Sequence, residues 1–297
     1  MVQRSSDKNL ELAKSFYTLI PYNIMKKRAP KKKRVEKIIP PKVTEKKSNL
    51  VKTLAGGKKV EKKKYEKIST GIKNFDVITQ GGFVKGSINM VVGGTGTGKS
   101  IFAMQFLIEG LKKGEKCLYI SFEEKKEEVY ANMLRLGWDL EKYENQGNLF
   151  FLEYTPEKVK TMLEEGGGEI ETIVLTKQIK RISIDSISSF TSLSSEESEK
   201  RGSILALSAL LRKWDSTVLL TYEKDPSIEK KTSEVLEFEV DSISIIYSVR
   251  VKNKREKFLE VFKMRGTEHS KEIYPFLIGK GGIDLKCKGC KSLPNIE

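Results

Sequence analysis

Short apolar runs alternate with amphipathic stretches through the middle of this chain. Residues 88–92 are almost wholly apolar, which is typical of a strand buried on both faces of a sheet. After them, Met104, Leu107, Ile108 and Leu111 recur at the spacing of one helix face. The pattern therefore predicts a buried strand followed by an amphipathic helix.

The same alternation repeats along the next hundred residues. It predicts strands at 115–124, 148–155, 181–185 and 217–223, and helices from about Glu124 to Leu136, at 156–168 and at 202–214. Strands separated by helices indicate an α/β fold with a mostly parallel sheet that helices cover on both faces. From Val235 the pattern changes to strand after strand, at 239–251, 256–266 and 272–279, which predicts an antiparallel C-terminal extension.

A glycine-rich segment joins the first strand to the first helix. It reads G-x-x-x-x-G-K-S from Gly93 to Ser100. In such a loop, backbone N–H groups surround a phosphate chain, the lysine reaches the β- and γ-phosphates, and the serine hydroxyl binds Mg²⁺. The alternative is a glycine turn that matches by chance, but the strand before it and the helix after it favour a nucleoside triphosphate site. The phosphate-binding residues are Gly93, Gly94, Thr95, Gly96, Thr97, Gly98, Lys99 and Ser100.

Acidic residues follow two of the other predicted strands. The carboxyl ends of parallel strands meet at one edge of a sheet, so these acids are expected near the glycine-rich loop. Asp185 is a candidate to hold Mg²⁺, although a carboxylate at a strand end is often only a cap. Glu123 or Glu124 is a candidate to orient or deprotonate the attacking water. Alternatively, both glutamates begin the acidic first turn of the next helix; position does not decide which of them would be catalytic.

The net charge of +15 comes entirely from the N-terminal segment. Residues 1–67 hold 21 basic and 6 acidic residues, whereas the remaining 230 residues hold 34 of each. A lysine-rich segment with few large apolar residues is expected to be disordered, apart from a short helix at 7–20. Clustered lysines attract nucleic acid non-specifically, and the alternative is a solvated arm.

Three cysteines do not make a disulfide framework. The spacing of Cys287 and Cys290 is that of half a zinc site, so an ordinary C-terminal tail is the expectation for 286–297. The sequence has neither an apolar run near 18 residues nor a signal peptide, and a cytoplasmic protein with no membrane contact is expected.

Residues 68–285 resemble the RecA-like ATPases of the KaiC family. The motifs that carry the resemblance are STGIKNFD, GGFVKGS, GGTGTGKS, SFEE, RISIDS, FKMRGTEHS and GGIDL. FKMRGTEHS separates this family from other P-loop proteins. Single-domain members are common in archaea, and the resemblance implies a protein of that type.

The resemblance also implies a function. It implies a Mg-dependent ATPase in a homo-oligomeric ring, commonly a hexamer, with nucleotide at each subunit interface. Glu123 and Glu124 match the family's paired catalytic acids, and Asp185 matches its magnesium-binding acid. Lys263 and Arg265 match cations that reach the neighbouring subunit's γ-phosphate, which places His269 near the same nucleotide.

Three functions are compatible with these residues. The first is a KaiC-like ATPase whose slow turnover switches a ring between conformations or protein partners that the sequence does not identify. The second is a RadA-like recombination ATPase, which the basic segment favours slightly. The third is a scaffold that senses ATP without hydrolysing it, similar to the ATP-binding subunit of the archaeal flagellar motor. A water-activating glutamate pair argues against the third.

Overall fold

The structure is a computed structural model that describes residues 65–155, 157–158, 161, 168–191, 196–224 and 234–287. The predicted short helix at 7–20, nearly all of the basic segment and Cys290 lie outside the described residues, as does most of the helix predicted at 156–168. Among the described helices, none is both long and apolar enough to cross a membrane.

A nine-stranded sheet forms the centre of the fold, in the order β11-β10-β9-β8-β3-β7-β6-β4-β5. Strands β8, β3, β7, β6, β4 and β5 are parallel, and β9, β10 and β11 continue the sheet in antiparallel pairs. The predicted fold class is confirmed. The strands are β1 (Lys67–Ile68), β2 (Phe83–Val84), β3 (Ile88–Gly93), β4 (Cys117–Ser121), β5 (Leu149–Glu153), β6 (Arg181–Asp185), β7 (Thr217–Glu223), β8 (Ser242–Val251), β9 (Lys254–Met264), β10 (Tyr274–Gly279) and β11 (Gly282–Leu285), with β1 and β2 in a separate two-stranded sheet.

Helices pack on both faces of the large sheet because its central strands are apolar on both sides. In β3, Val91 contributes to one core, whereas Met90 and Val92 contribute to the other. Phe102 and Phe106 pack in the first core, and Leu207 and Leu211 pack in the second. The helices are α1 (Lys73–Ile78), α2 (Lys99–Lys112), α3 (Lys126–Arg135), α4 (Leu140–Asn145), α5 (Gly168–Lys177), α6 (Ile187–Thr191), α7 (Glu197–Lys213) and α8 (Glu234–Glu239).

Several helices differ from the prediction: α1, α4, α6 and α8 were not predicted, and α7 begins at Glu197 instead of near residue 202. Helix α3 begins at Lys126 instead of Glu124, because the backbone of Glu124 bonds to the Ser121 hydroxyl in a turn that precedes the helix. Helix α5 was not predicted. Its β-branched residues favour strands as much as helices, and it is stabilised by burying Ile170 and Val174 in the second core.

Arg181 fixes the start of β6. Its side chain is fully buried, and its guanidinium forms an ion pair with Glu115 at 2.5 Å. The same group donates to the carbonyls of Ser69, at 2.7 Å, and Phe106, at 2.9 Å. A buried guanidinium needs several acceptors. Here those acceptors join β6, α2 and the segment before α1, and thereby hold the strand that ends in Asp185.

Candidate nucleotide site

The loop from Gly93 to Ser100 turns sharply between β3 and α2. Gly96 and Gly98 have φ angles of +70° and +113°, which favour glycine over residues with a side chain. At Gly93, a Cβ atom would lie 2.9 Å from the Ile246 carbonyl oxygen and 2.7 Å from the Thr97 hydroxyl. The glycines are therefore required by backbone shape, and the loop leads into the N-terminus of α2, where anions are stabilised.

Lys99 lies along the inside of this loop. Its side chain is only 8% exposed, and its ammonium group donates to the Gly94 carbonyl at 3.0 Å. The same group forms an ion pair with the Glu223 carboxylate at 3.3 Å. The lysine is thus held at the position from which a P-loop lysine reaches phosphates.

A second cation reaches the loop from β9. Lys257 donates to the Gly96 carbonyl at 2.7 Å, and burial lowers the pKa of its ammonium group. The sequence did not single out Lys257, which lies 161 positions from Gly96. Only the pairing of β9 with β8, and of β8 with β3, brings the two residues together.

Asp185 ends β6, which is separated from β3 by one strand, β7. Its side chain is buried, and both carboxylate oxygens accept hydrogen bonds. The Tyr119 hydroxyl donates to Oδ2 at 2.6 Å, and the Thr221 hydroxyl donates to Oδ1. Two fixed donors orient the carboxylate and leave other lone pairs for a cation.

Glu123 and Glu124 follow β4, the strand beside β6. The last residue of β4, Ser121, is in register with Asp185. The acids precede α3, so they are not its first-turn residues, and Glu127 and Glu128 take that place. The alternative explanation of their position, as first-turn acids, does not hold.

The two glutamates have different surroundings. The Glu123 carboxylate accepts a hydrogen bond from the Ser189 hydroxyl at 2.6 Å. The pKa of Glu124 is raised, first by burial and then by the negative charges of Asp185, Glu128 and Glu123. A carboxylate with a raised pKa is the stronger base.

Lys263 and Arg265 lie at the opposite end of the sheet from the chain's own loop. Lys263 is in register with Ile243, and Met264 with Ser242, which pairs with Asn89 near the start of β3. The loop follows the other end of β3, at Gly93. Within one chain, the structure therefore does not bring these cations to the loop.

Contacts with the end of α8 hold the two cations in place. Lys263 donates to the carbonyls of Glu237, at 2.5 Å, and Val240, at 2.7 Å. Arg265 donates to the Phe238 carbonyl at 2.6 Å, and its side chain is half exposed.

His269 lies in the turn beyond Arg265 and contacts the Ser270 carbonyl oxygen at 2.9 Å. Its neighbour Ser270 is bonded to Ile78, at the end of α1. The hydrogen bonds of this turn therefore join it to α1.

The residues near the loop suit a Mg²⁺ ion that is also bound by phosphate and water. Those that the structure describes do not form a metal site made of protein side chains alone. Within the described residues there is no cluster of three His, Cys, Asp or Glu side chains that would hold a metal. One carboxylate, Asp185, and the Ser100 hydroxyl suit a cation whose other ligands are phosphate oxygens and water. Cys287 is disulfide-bonded, and no zinc site forms around it in the described part of the chain.

Comparison with known proteins gives consistent matches. A model of the KaiC ATPase family matches residues 68–289. The chain is 34% identical over 227 residues to the circadian clock protein KaiC3 of Synechocystis sp., covering 73% of this chain and 45% of that protein. It is 34% identical over 253 residues to the clock oscillator protein KaiC of Acaryochloris marina, covering 81% and 47%. The chain thus spans less than half the length of these two relatives.

A solved structure extends the match to the fold. The KaiC-like protein of the archaeon Pyrococcus horikoshii OT3 aligns with a TM-score of 0.68 and 31% identity, covering 75% of this chain and all of that one. The family model spans well over half of the chain, and it includes the glycine-rich loop and all the acids described above. The chain therefore belongs to the KaiC family of ATPases and carries one RecA-like, ATP-binding P-loop domain of that family.

Proposed function

We propose that this chain binds Mg·ATP at the Gly93–Ser100 loop and hydrolyses it slowly, as a ring whose turnover switches its conformation or its partners. One observation carries the proposal. A single edge of the parallel sheet gathers the P-loop lysine, the buried Asp185 and the Glu123–Glu124 pair, which are the groups that phosphoryl transfer to water requires.

In this proposal the loop and α2 hold the phosphates. Lys99 would contact the β- and γ-phosphates, because it is already fixed against Gly94 inside the loop. Ser100 and Asp185 would hold Mg²⁺, which neutralises charge on the phosphate oxygens. Lys257 would add a further positive charge beside Gly96.

The two glutamates would both act on the attacking water, in different roles. Glu124 is the better base because its pKa is raised, so we assign it the proton of the attacking water. Glu123 is held by Ser189 and would help to orient that water. A site that only sensed ATP would have no use for such a pair.

A neighbouring subunit would complete the site. Lys263 and Arg265 lie at the opposite end of the sheet from the chain's own loop, Arg265 is half exposed, and His269 follows them in the next turn. These positions support their action on the nucleotide of an adjacent copy, in a ring that has six subunits if it follows the family resemblance. A cation supplied across the interface stabilises charge that develops in the transition state and links hydrolysis to assembly.

The test is ATP turnover by the purified chain, with its native mass recorded with and without Mg·ATP. We expect a nucleotide-dependent oligomer with slow turnover. Lys99→Met should lose ATP binding. Glu124→Gln should keep binding but lose turnover by about 100-fold or more, and Glu123→Gln should lose less.

Other outcomes would select a different function. A monomer that binds ATP and never hydrolyses it would be a nucleotide-gated scaffold. Turnover stimulated several-fold by single-stranded DNA would favour a recombination ATPase, in which the basic N-terminal segment contacts the strand.

A further inference from the structure

Glu223 contacts two residues of the Gly93–Ser100 loop. It ends β7, and its backbone is in register with Gly93, the first residue of the loop. Its carboxylate accepts a hydrogen bond from the Thr95 hydroxyl at 2.6 Å and pairs with Lys99 at 3.3 Å. The function proposed above gives this carboxylate no role.

We propose that Glu223 is a built-in competitor of the nucleotide, whose carboxylate pairs with Lys99 until the terminal phosphates of ATP displace it. This inference rests on the proposed function, because it concerns regulation of that same site. A carboxylate and a phosphate are both anions that accept hydrogen bonds from an ammonium group. Lys99 is almost fully buried, so only a few anions can reach it at once.

The charge on Glu223 is maintained by its surroundings. The hydrogen bond from Thr95 lowers the pKa of this carboxyl group, and the positive charge of Lys99 lowers it further, against the opposing effect of burial. Glu223 is therefore ionised at neutral pH. An ionised carboxylate beside Lys99 would repel the phosphates of ATP as well as occupy their partner.

The exchange requires only a rotation of the side chain. The Glu223 amide is held by the Ser188 hydroxyl at 2.6 Å, and the next amide, of Lys224, donates to the Gly93 carbonyl at 3.0 Å. The Glu223 side chain is 42% exposed, so solvent can receive its carboxylate. With the backbone fixed on both sides, the carboxylate would return to Lys99 when the phosphates leave.

The competition favours release of product. When the γ-phosphate departs, Glu223 would recapture Lys99 and the Thr95 hydroxyl in a single movement. It would thereby weaken the hold of the loop on the remaining diphosphate. AMP has no β- or γ-phosphate to meet Lys99, so its binding should be independent of Glu223.

The experiment measures affinity in the full chain for two probes, the slowly hydrolysed γ-thio analogue of ATP and AMP. We expect Glu223→Gln to bind the ATP analogue roughly two- to fivefold more tightly, the range for the loss of a partly exposed ion pair. AMP affinity should change by less than about twofold, because its phosphate does not compete at Lys99. Glu223→Ala should give the same pattern, with tighter binding of the ATP analogue and nearly unchanged AMP affinity, which would exclude an effect peculiar to the glutamine amide.

The matched control is Glu153→Gln. Glu153 ends β5 at the same edge of the sheet but four strands from β3, and it bonds the Lys126 amide instead of the loop. Unchanged or weaker binding of the ATP analogue in Glu223→Gln would overturn the inference. An equal gain for AMP would also overturn it, because it would indicate a general opening of the site. If the unaltered chain and Lys99→Met bind the analogue equally, the proposed function fails instead.

Discussion

Glu124 shows how neighbouring charges could adapt a single side chain to its role. Desolvation raises the pKa of its carboxyl group, and the negative charges of Asp185, Glu128 and Glu123 raise it further. The residue types and their order after a strand identified the pair as candidate catalytic acids. The choice between them depends on the charges around Glu124 and on the Ser189 contact of Glu123, which no spacing in the sequence reveals.

Removing one of the charges that raise the Glu124 pKa should shift the pH dependence of turnover. A base must be deprotonated, so turnover falls as the pH drops through the Glu124 pKa, and a raised pKa places this fall at a higher pH than for an ordinary glutamate. Glu128→Gln removes one repulsive charge. We expect its acidic limb to move to lower pH, with an unchanged plateau.

The control for this pH profile is Glu127→Gln. Glu127 is the adjacent acid in the first turn of α3 and is not among the groups that raise the Glu124 pKa. Its profile should match that of the unaltered protein. An acidic limb that stays in place in Glu128→Gln, or moves equally in both variants, would contradict the assignment of Glu124 as the base.

At the scale of elements, the site depends on where the strands end. Strand β6 carries Asp185 at one end and Arg181 at the other, and Arg181 joins it to α2 and to the segment before α1. The guanidinium also stacks on the Phe106 ring at 4.8 Å. Loss of this arginine would leave Glu115 and two carbonyls without their donor.

We therefore expect Arg181→Met to lower the free energy of unfolding by about 2–4 kcal/mol, somewhat less than the roughly 3–5 kcal/mol of a fully buried ion pair broken on one side. Glu115 is 27% exposed, and the water that reaches it keeps the loss below the upper limit for such pairs. Urea unfolding provides the measurement. The exposed neighbour Lys180 gives the control Lys180→Met, and equal stability of the two variants would refute the anchoring role of Arg181.

The order of strands and helices was predictable because alternation between apolar runs and amphipathic segments is a local property. Helix α5 was missed because Ile173 and Val174 fit either element until packing decides. The contacts of Lys257 and Glu223 with the loop could not be predicted. They depend on the register of strands that are more than a hundred residues from the loop.

At the scale of the whole molecule, the distribution of cations points to assembly. Lys263 and Arg265 are held by the carbonyls of α8 and the residue after it, and two aromatic side chains nearby are exposed. Phe238 on α8 is 70% exposed, and Phe262, adjacent to Lys263, is 58% exposed. Exposed aromatic residues beside cations are typical of protein interfaces.

If this surface meets a second copy of the chain, Phe238→Ser should weaken the oligomer. We expect the protein concentration needed for half assembly in Mg·ATP to rise about tenfold or more, the effect of losing a buried aromatic anchor. Leu175→Ser is the matched control, because Leu175 on α5 is similarly exposed at 58%. Native mass across a dilution series gives the result, and an unchanged assembly midpoint for Phe238→Ser would place the interface elsewhere.

The most direct test of the shared site is to mix two inactive variants. Arg265→Ala keeps both glutamates, and Glu123→Gln/Glu124→Gln keeps the arginine. In a mixed ring, an interface that takes its acids from the first and its arginine from the second is complete. We expect an equal mixture to recover about a quarter of the turnover of the unaltered protein, the share of complete interfaces under random assembly.

A triple variant lacking all three groups should restore nothing when mixed with Arg265→Ala. Recovery in the first mixture alone would establish that Arg265 acts on the neighbouring nucleotide. Full activity of Arg265→Ala by itself, or no recovery in a mixture shown to form mixed rings, would contradict it.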